Sequence, residues 1–288
     1  MSDIDATAMK AVDAAIAEVR NFQLLANPEM EAGYHETYVP HHRAEYVRTV
    51  RDVLAHRPPA PGVKVLEIGA FFGVVCIALA SLGYDVTAAD VPEYIELREQ
   101  AERYARFGIR TQGVRLEEFI LPFEDEQFDV IIMCEVLEHL NFNPLPLLKE
   151  INRVGAPGSI FYVSMPNATS IYHRVAVATG CAGGVQVSEF FEQLDPGNSL
   201  IANGHWREYT AAETRRMLEP LGYRIADQYY FSIGDSQPSR SIKGRMFRLF
   251  LKRWPQFKEN QTTIAVREKR TAMVFDIPQT VHPTLRQL

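Results

Sequence analysis

The run Val63–Ile68, followed by glycines at Gly69 and Gly73, constrains the fold of this chain more than any other stretch. Its β-branched and apolar residues predict a strand, and the glycines predict a tight turn with close backbone approach. The apolar residues 74–82 predict a helix whose free N–H groups point back at the turn. A strand, a turn and a helix start in this order are typical of a site for a nucleotide-like ligand with an anionic end.

Strand and helix patterns alternate through the rest of the chain. Such alternation predicts an α/β fold with a parallel sheet covered by helices on both faces. Ligands of these sheets bind at the carboxyl ends of the strands, where Asp90 lies, and we expect Asp90 to accept hydrogen bonds from both hydroxyls of a ribose. A solvated or helix-capping acid is the alternative. The predicted strands are 63–68, 85–89, 110–114, 128–134, 159–164, 224–231 and 262–267, and the predicted helices are 73–82, 93–107, 144–154 and 211–221.

The first 60 residues predict helices that precede the sheet. Apolar residues at helical spacing predict a helix over 6–25, and the same spacing over 44–56 predicts a second helix. The segment 27–43 between them is predicted to be irregular and is rich in Tyr and His. We interpret it either as packing at a helix junction or as a lid over the ligand. The proline-rich run 57–62 predicts the entry to the core domain.

Composition and charge exclude several classes of protein. The chain has 288 residues, 47% of them apolar, which is enough for one elaborated domain. Its formal net charge of −6 provides no overall field for a polyanion, so we expect no nucleic-acid partner. The three cysteines lack metal-ligand spacing and predict reduced thiols in a cytoplasmic protein. The first residues lack signal-peptide features, and no apolar run reaches the roughly 20 residues of a membrane span.

Several ordered motifs together resemble a known family. Glu67 and the turn 69–73 are similar to motif I of class I S-adenosylmethionine-dependent methyltransferases, except that Phe71 occupies the middle glycine position. The run 121–129 before a buried strand and the Glu-x-x-Glu-His of residues 135–139 look like the second half of that fold in small-molecule and quinone O-methyltransferases. The resemblance spans about residues 60 to 232 and is stronger than the glycine motif alone.

The resemblance implies a Rossmann-like, doubly wound, seven-stranded sheet whose last strand is antiparallel, with S-adenosylmethionine as cofactor. Glu67 would hold the α-amino group of that cofactor, directly or through water, and Asp90 would bind its ribose. Residues Val91 and Glu117 would flank adenine, and the backbone at Cys134 and Glu135 would border the methionine arm. The turn residues Gly69, Ala70, Phe71 and Gly73 would accommodate the amino-acid portion.

The candidate acceptor side consists of Glu135, Glu138, His139 and His205. We expect the first three to lie near one helical face beyond the fourth strand. Small-RNA 2′-O-methyltransferases share a similar motif, and a later histidine there completes a divalent-metal site. All four residues are therefore candidate ligands of a metal such as Mg²⁺. Catalysis by His139 or His205 as general base, with Glu138 beside them, and a purely structural role are the alternatives.

The predicted organisation is a helical cap or lid over 1–60, a methyltransferase domain over 61–268 and a tail over 269–288. Within the domain, 167–208 is interpreted as a substrate-side insertion, because long excursions in compact folds are usually functional. The second insertion, 235–258, contains basic and apolar residues interleaved over 240–254. That pattern is typical of a helix on an anionic membrane surface, or of a packed helix with a solvated basic face.

The sequence thus favours an O-methyltransferase that acts on a sugar hydroxyl of a polysaccharide or glycolipid. A phenolic, quinone-like or natural-product small molecule is the alternative acceptor. We expect a cytoplasmic protein with peripheral contact at the inner membrane face. Two other classes are a non-catalytic S-adenosylmethionine-binding partner protein, which Phe71 favours, and an NAD-dependent enzyme, which the spacing of Gly69 and Gly73 disfavours.

Overall fold

A computed structural model describes residues 2–20, 34–181, 204–233 and 241–274. Within these residues seven strands form one sheet in the order β3-β2-β1-β4-β5-β7-β6. The pairs among β1 to β5 are parallel, and β7 is antiparallel to both β5 and β6. This confirms the predicted doubly wound α/β sheet with an antiparallel last strand. The strands are β1 Lys64–Ile68, β2 Asp85–Asp90, β3 Arg110–Gly113, β4 Phe128–Cys134, β5 Gly155–Pro166, β6 Tyr223–Phe231 and β7 Asn260–Arg267.

Helices cover both faces of the sheet because side chains alternate between the faces along each strand. Val65, on β1, packs into a core shared with α1, α3 and α4. Leu66, its neighbour, packs into a second core shared with α7 and α9. The described helices are α1 Asp3–Arg20, α2 Tyr34–His41, α3 Arg43–His56, α4 Val74–Ser81, α5 Pro92–Ile95, α6 Arg98–Arg106, α7 Leu145–Val154, α8 Ile171–Ala178, α9 Ala211–Leu218 and α10 Ile242–Arg253.

The strand order reverses between β1 and β4, which are neighbours although two strands separate them in sequence. Crossovers therefore leave in opposite directions from β1 and β4, and a crevice opens at their carboxyl ends. The turn after β1, the end of β2 and the segment after β4 all lie at this edge. The sheet thus brings the candidate donor and acceptor residues to one side of the molecule.

Three predictions about elements were wrong. Residues 34–41 of the segment predicted as irregular form α2, with Pro40 within the helix. The helix predicted over 93–107 is divided into α5 and α6, because Leu97 has an extended conformation with ψ of 132°. Strand β5 begins at Gly155 rather than at residue 159, since Gly155 pairs with Phe128 before an irregularity in the ladder.

Some predicted features lie outside the described residues. The last residues of the predicted first helix and the first residues of the Tyr/His segment fall in 21–33. Residues 182–203 of the substrate-side insertion, the start of the second insertion with Arg240, and most of the tail are also outside. The predicted domain boundaries stay predictions. Among the described helices, none combines the length and apolarity that crossing a bilayer requires.

Candidate active site

The turn after β1 depends on its two glycines. Gly69 and Gly73 have φ values of 77° and 74°. A Cβ atom on Gly69 would lie 2.3 Å from Val136 Cγ2, and one on Gly73 would lie 2.5 Å from the Tyr104 hydroxyl oxygen. Both positions therefore require glycine for conformation and for space. Phe71, at the middle glycine position, also has a positive φ of 43°.

Phe71 is held in this strained conformation by aromatic contacts and hydrogen bonds. Its ring centroid lies 4.1 Å from that of Phe72 and 5.6 Å from that of Tyr94. Its N–H donates to Asp90 Oδ2 at 2.8 Å, and its carbonyl accepts from the Tyr104 hydroxyl at 3.1 Å. The turn therefore keeps a glycine-like backbone, while the ring of Phe71 lies in an aromatic cluster.

The same turn is tied to the end of β2, where Asp90 lies. The N–H groups of Gly69 and Ala70 donate to the Ala89 carbonyl at 2.9 and 3.2 Å. The Asp90 carboxylate accepts from the backbone of the turn and, through Oδ1, from the Val91 N–H at 2.8 Å. Burial raises the pKa of Asp90, and these backbone donors oppose the rise. The carboxylate is thus oriented at the strand end, as a ribose-binding acid would need.

Glu67 is buried within β1, just before the turn. The Cys76 thiol of α4 donates to Glu67 Oε2 at 2.7 Å. Burial raises the pKa of Glu67 to about 8, and the charge of Asp90 adds to the rise, while the thiol opposes it. A buried carboxyl in this state gains most from a cationic ligand such as an ammonium group. Binding of the cofactor amine by Glu67 stays a prediction.

The two residues expected beside adenine differ in their surroundings. Val91 is partly exposed and precedes α5, next to Asp90. Glu117 lies in a short 3₁₀ helix, Leu116–Glu118, and is exposed. The Val114 N–H donates to the Asp90 carbonyl at 2.8 Å, which ties this segment to the end of β2. The structure thus places Val91 beside Asp90 and leaves Glu117 at the surface.

The segment after β4 is a sharp turn rather than the expected helical face. Cys134 ends the strand, and its Sγ lies 3.9 Å from Thr49 Oγ1 of α3. Glu135 has a φ of 52°, and its N–H donates to the Ser164 carbonyl of β5 at 2.9 Å. The 3₁₀ helix Leu137–His139 follows. The left-handed conformation of Glu135 ends the ladder, so the helical-face prediction was wrong.

Two buried carboxyl groups lie in this turn. The side chain of Glu138 is 0% exposed, and neither of its carboxylate oxygens has a hydrogen-bond partner in the described part of the chain. Burial raises the pKa of Glu138 to about 7, and the charge of His205 opposes the rise. Burial and the charge of Glu138 raise the pKa of Glu135 well above its ordinary value. Such a pair disfavours two negative charges and suits a cation or a shared proton.

Two histidines complete a compact group with Glu138. The ring centroids of His139 and His205 are 4.9 Å apart, and His139 Nε2 lies 4.0 Å from Glu138 Oε1. One ligand atom from each of the three residues lies within 4.8 Å of the others. Because 65 residues separate the two histidines in the sequence, local sequence patterns could not show that they are close in space. Glu135, the fourth candidate ligand, does not belong to this group.

Glu208 is a functional candidate that the sequence analysis missed. Its Oε1 lies 3.1 Å from His205 Nδ1, and its Oε2 lies 3.3 Å from His173 Nε2 of α8. A carboxylate can only accept hydrogen bonds, so Nδ1 of His205 carries a hydrogen, and when the ring is neutral Nε2 keeps its lone pair. The spacing His205-x-x-Glu208 is the sequence signal that could have identified Glu208 as a partner of His205. We infer that Glu208 positions His205.

Backbone bonds hold the chain that carries His205 against β4 and β5. The Arg207 N–H donates to the Glu138 carbonyl at 3.2 Å, and the Ala168 N–H donates to the Tyr209 carbonyl at 3.2 Å. Tyr209 forms a parallel bridge with Asn167, directly after β5. One isolated bridge and these two backbone bonds thus hold the segment 204–210 in place, with His205 beside the turn after β4.

The helices α2 and α3 contact the same edge of the sheet. The Tyr38 ring stacks on His42 at 4.2 Å and meets the Phe71 ring edge-on at 5.8 Å. Glu45 accepts from Asn260 Nδ2 at 3.1 Å and pairs with His42 Nδ1. These contacts place the Tyr/His segment against the turn 69–73 after β1, here called the donor-side turn. Its function as a lid stays a prediction.

A cleft of about 470 Å³ is lined by residues that are neighbours of the two histidines in the sequence. Residues that directly follow them, Leu140 and Trp206, form part of its wall. Aromatic side chains of Phe142 and Tyr209 also contribute. Polar side chains form most of the rest of the wall, and the aromatic faces among them suit a planar ring as ligand.

A family model described as "Methyltransferase domain" matches residues 39–228. A Mycolicibacterium smegmatis protein named for S-adenosylmethionine-dependent methyltransferase activity is 31% identical over 175 residues, which is 60% of this chain and 56% of that protein. A ubiquinone biosynthesis O-methyltransferase of Xanthomonas campestris is 30% identical over 163 residues, which is 56% of this chain and 65% of that protein. The chain therefore spans less than two thirds of the length of these relatives.

The fold is also found in a solved structure of low sequence similarity. The magnesium protoporphyrin IX methyltransferase from Synechocystis, with bound S-adenosylhomocysteine, aligns with a TM-score of 0.51 and 17% identity, over 80% of this chain and 87% of that one. At this identity the likeness shows the fold alone. Because the family match covers more than half of the chain and the sheet has the expected order, the chain belongs to the class I S-adenosylmethionine-dependent methyltransferases.

Proposed function

We propose that this chain is an O-methyltransferase that transfers the methyl group of S-adenosylmethionine to a hydroxyl of a phenolic or quinone-like small molecule. The group of Glu138, His139 and His205, beside the donor-side turn, carries this proposal. Relatives named for ubiquinone biosynthesis support such an acceptor, and the aromatic cleft agrees with it. The sugar acceptor favoured by the sequence stays a prediction that has no such support.

The chemistry requires alignment and removal of one proton. The acceptor oxygen forms a bond to the methyl carbon as the carbon–sulfur bond breaks, and the hydroxyl proton must leave. A phenol has an ordinary pKa of about 10, so a base within reach assists attack at neutral pH. His205 is the preferred base, because Glu208 orients its Nδ1 and Nε2 of the neutral ring can accept a proton.

The same residues fit a divalent cation as a second role. His139 Nδ1 lies 3.1 Å from the Gly204 carbonyl, and His205 Nδ1 is oriented by Glu208. Metal-bound histidines typically have their other ring nitrogen anchored in this way. A donor set of two imidazoles and the buried Glu138 carboxylate suits Zn²⁺ better than the expected Mg²⁺, which prefers oxygen ligands. When bound, such an ion would lower the pKa of an acceptor hydroxyl.

Methyl transfer to simple catechols and hydroquinones, followed by mass spectrometry, tests the proposed function. We expect His205→Gln to lower kcat at least about 100-fold while S-adenosylmethionine binding stays unchanged. His56→Gln, which replaces an exposed histidine at the end of α3, is the matched control and should keep full activity. Binding of the cofactor without methylation of any phenol would support the non-catalytic alternative instead.

Calorimetric titration with Zn²⁺, Mn²⁺ and Mg²⁺ separates the metal role from the base role. The metal role predicts heat with Zn²⁺ for the wild type, no heat for Glu138→Ala, and activity that a chelator abolishes. Absence of heat, with activity unaffected by chelator, would leave His205 as the base and reject the metal.

A further inference from the structure

The helix α10 has apolar residues on its exposed side as well as on its buried side. At about 100° per residue, Ile242, Met246 and Leu249 fall on one stripe, opposite Leu251. Leu251 is buried, whereas the three stripe residues are 67%, 68% and 69% exposed. A surface helix ordinarily turns polar residues outward. Packing against the described part of the fold therefore does not account for the stripe.

Cations flank the exposed stripe on both sides. Arg245 and Lys252 lie along one edge of it, and Lys243 lies towards the other. All three side chains are exposed. The twelve residues of α10 include five basic residues and no acidic one, in a chain whose formal net charge is −6. The helix thus combines an outward apolar stripe with a local charge opposite to that of the chain.

The helix lies near the acceptor side of the candidate site. The ring of Phe250 stacks on Phe257, in the turn after α10, at 5.3 Å. The Arg174 guanidinium of α8 lies 4.9 Å from the centroid of that same Phe257 ring. One residue earlier, His173 reaches Glu208, the partner of His205. Four contacts in series therefore connect α10 to His205, the last of them between Glu208 and His205.

We propose that Ile242, Lys243, Arg245, Met246, Leu249 and Lys252, here called the α10 surface, dock onto an anionic lipid bilayer. Apolar side chains would enter the headgroup region while the flanking ammonium and guanidinium groups meet lipid phosphates. A nucleic acid would satisfy the cations but leave the stripe in water. A second copy of α10 on this surface would bring the basic residues of two helices close together, and their like charges would repel. The proposal goes beyond methyl transfer and would give the enzyme access to acceptors dissolved in a membrane.

Co-sedimentation of the full chain with vesicles tests this proposal without methyl donor or acceptor, so its outcome is independent of the proposed function. We expect binding to phosphatidylcholine vesicles that contain phosphatidylglycerol and little binding to phosphatidylcholine alone. Replacing both lysines of the α10 surface, Lys243→Gln with Lys252→Gln, should lower the partition coefficient about 30-fold, which corresponds to about 2 kcal/mol. Met246→Ser with Leu249→Ser should also lower it.

The matched control removes two exposed lysines elsewhere, Lys10→Gln with Lys64→Gln, and should bind like the wild type. Lys64 begins β1, at the opposite end of that strand from the donor-side turn. Only variants with the wild-type melting temperature are compared, so lost folding is not mistaken for lost binding. Protein that stays in the supernatant with anionic vesicles, or equal losses in both lysine pairs, would overturn the proposal. A change in the sedimentation coefficient of the protein alone on replacing Met246 and Leu249, without lipid binding, would assign the stripe to a second copy.

Discussion

Glu67 combines deep burial with a thiol donor, and this makes cofactor binding depend on pH. Its pKa of about 8 means that most of the free protein holds it protonated at pH 7. An ammonium ligand favours the carboxylate, so binding releases a proton below the pKa and affinity rises with pH. We expect S-adenosylmethionine affinity to rise roughly tenfold from pH 6 to pH 7 and to stop rising near pH 8, where the α-amino group of the cofactor begins to lose its own proton.

Isothermal titration across this pH range measures the effect. Glu67→Gln should bind more weakly and without this pH dependence. Cys76→Ala removes the donor that stabilises the Glu67 carboxylate, so its affinity profile should move to higher pH. Cys181→Ala, at an exposed free thiol, serves as the control. Wild-type affinity that is constant from pH 6 to pH 8 would contradict this account of Glu67.

Glu208 acts through His205, and its replacement should affect turnover rather than cofactor binding. Glu208→Ala removes the acceptor of the His205 Nδ1 hydrogen, so the ring loses its orientation. We expect kcat to fall about 10- to 100-fold, with an unchanged dissociation constant for S-adenosylmethionine. Glu219→Ala, at an exposed glutamate beyond α9, is the control. Partial recovery in Glu208→Gln, whose amide oxygen can still accept, would support positioning over charge.

At the scale of single elements, α9 is stabilised at its start by a capping box, and the spacing Thr210-x-x-Glu213 is a sequence signature of such a helix start. Thr210 Oγ1 accepts from the Glu213 N–H at 3.1 Å, and Glu213 Oε2 accepts from the Thr210 N–H at 2.9 Å. We expect Thr210→Ala to lower the free energy of unfolding by about 1 kcal/mol, because the first turn loses its cap. Urea unfolding measures this. Thr179→Ala, at the C-terminal end of α8, should change stability by less than about 0.5 kcal/mol.

At the scale of the whole molecule, buried carboxyls make stability depend on pH. Glu67, Glu135 and Glu138 all have raised pKa values because burial disfavours their charged forms. In the unfolded chain they ionise near pH 4.3, as ordinary glutamates do. The folded state therefore holds more protons between about pH 4.3 and pH 8, and its stability falls as pH rises through this window.

Urea unfolding of the cofactor-free protein at pH 6 and pH 8 measures this fall. Each responding carboxyl contributes at most about 1.4 kcal/mol per pH unit. Glu135→Gln should show a smaller loss than the wild type because one of these groups no longer titrates. Acids with lowered pKa values, such as Asp13 and Glu213, act at lower pH and leave this window unaffected. Stability that rises from pH 6 to pH 8 would contradict the prediction.

The sequence by itself determined the order of strands and helices, the glycine turn after β1 and the cap of α9. Each of these depends on local physics, such as the alternation of side chains along a strand, the conformational freedom of glycine, or a hydrogen bond between residues three apart. The family motifs then implied the sheet order. Local patterns did not show the division of the helix at Leu97, because they carry no record of what each half packs against.

Only the tertiary structure decided which distant residues meet. His139 and His205 come together because one bridge and two backbone bonds hold 204–210 beside the turn after β4, and that placement brings Glu208 to His205. Burial, and with it the raised pKa of Glu67 and Glu138, likewise depends on neighbours from separate elements. The apolar stripe of α10 faces outward because Leu251, on the opposite side of the helix, is the residue that packs against the fold. Desolvation and long-range contact are properties of the packed chain, and no short run of sequence contains them.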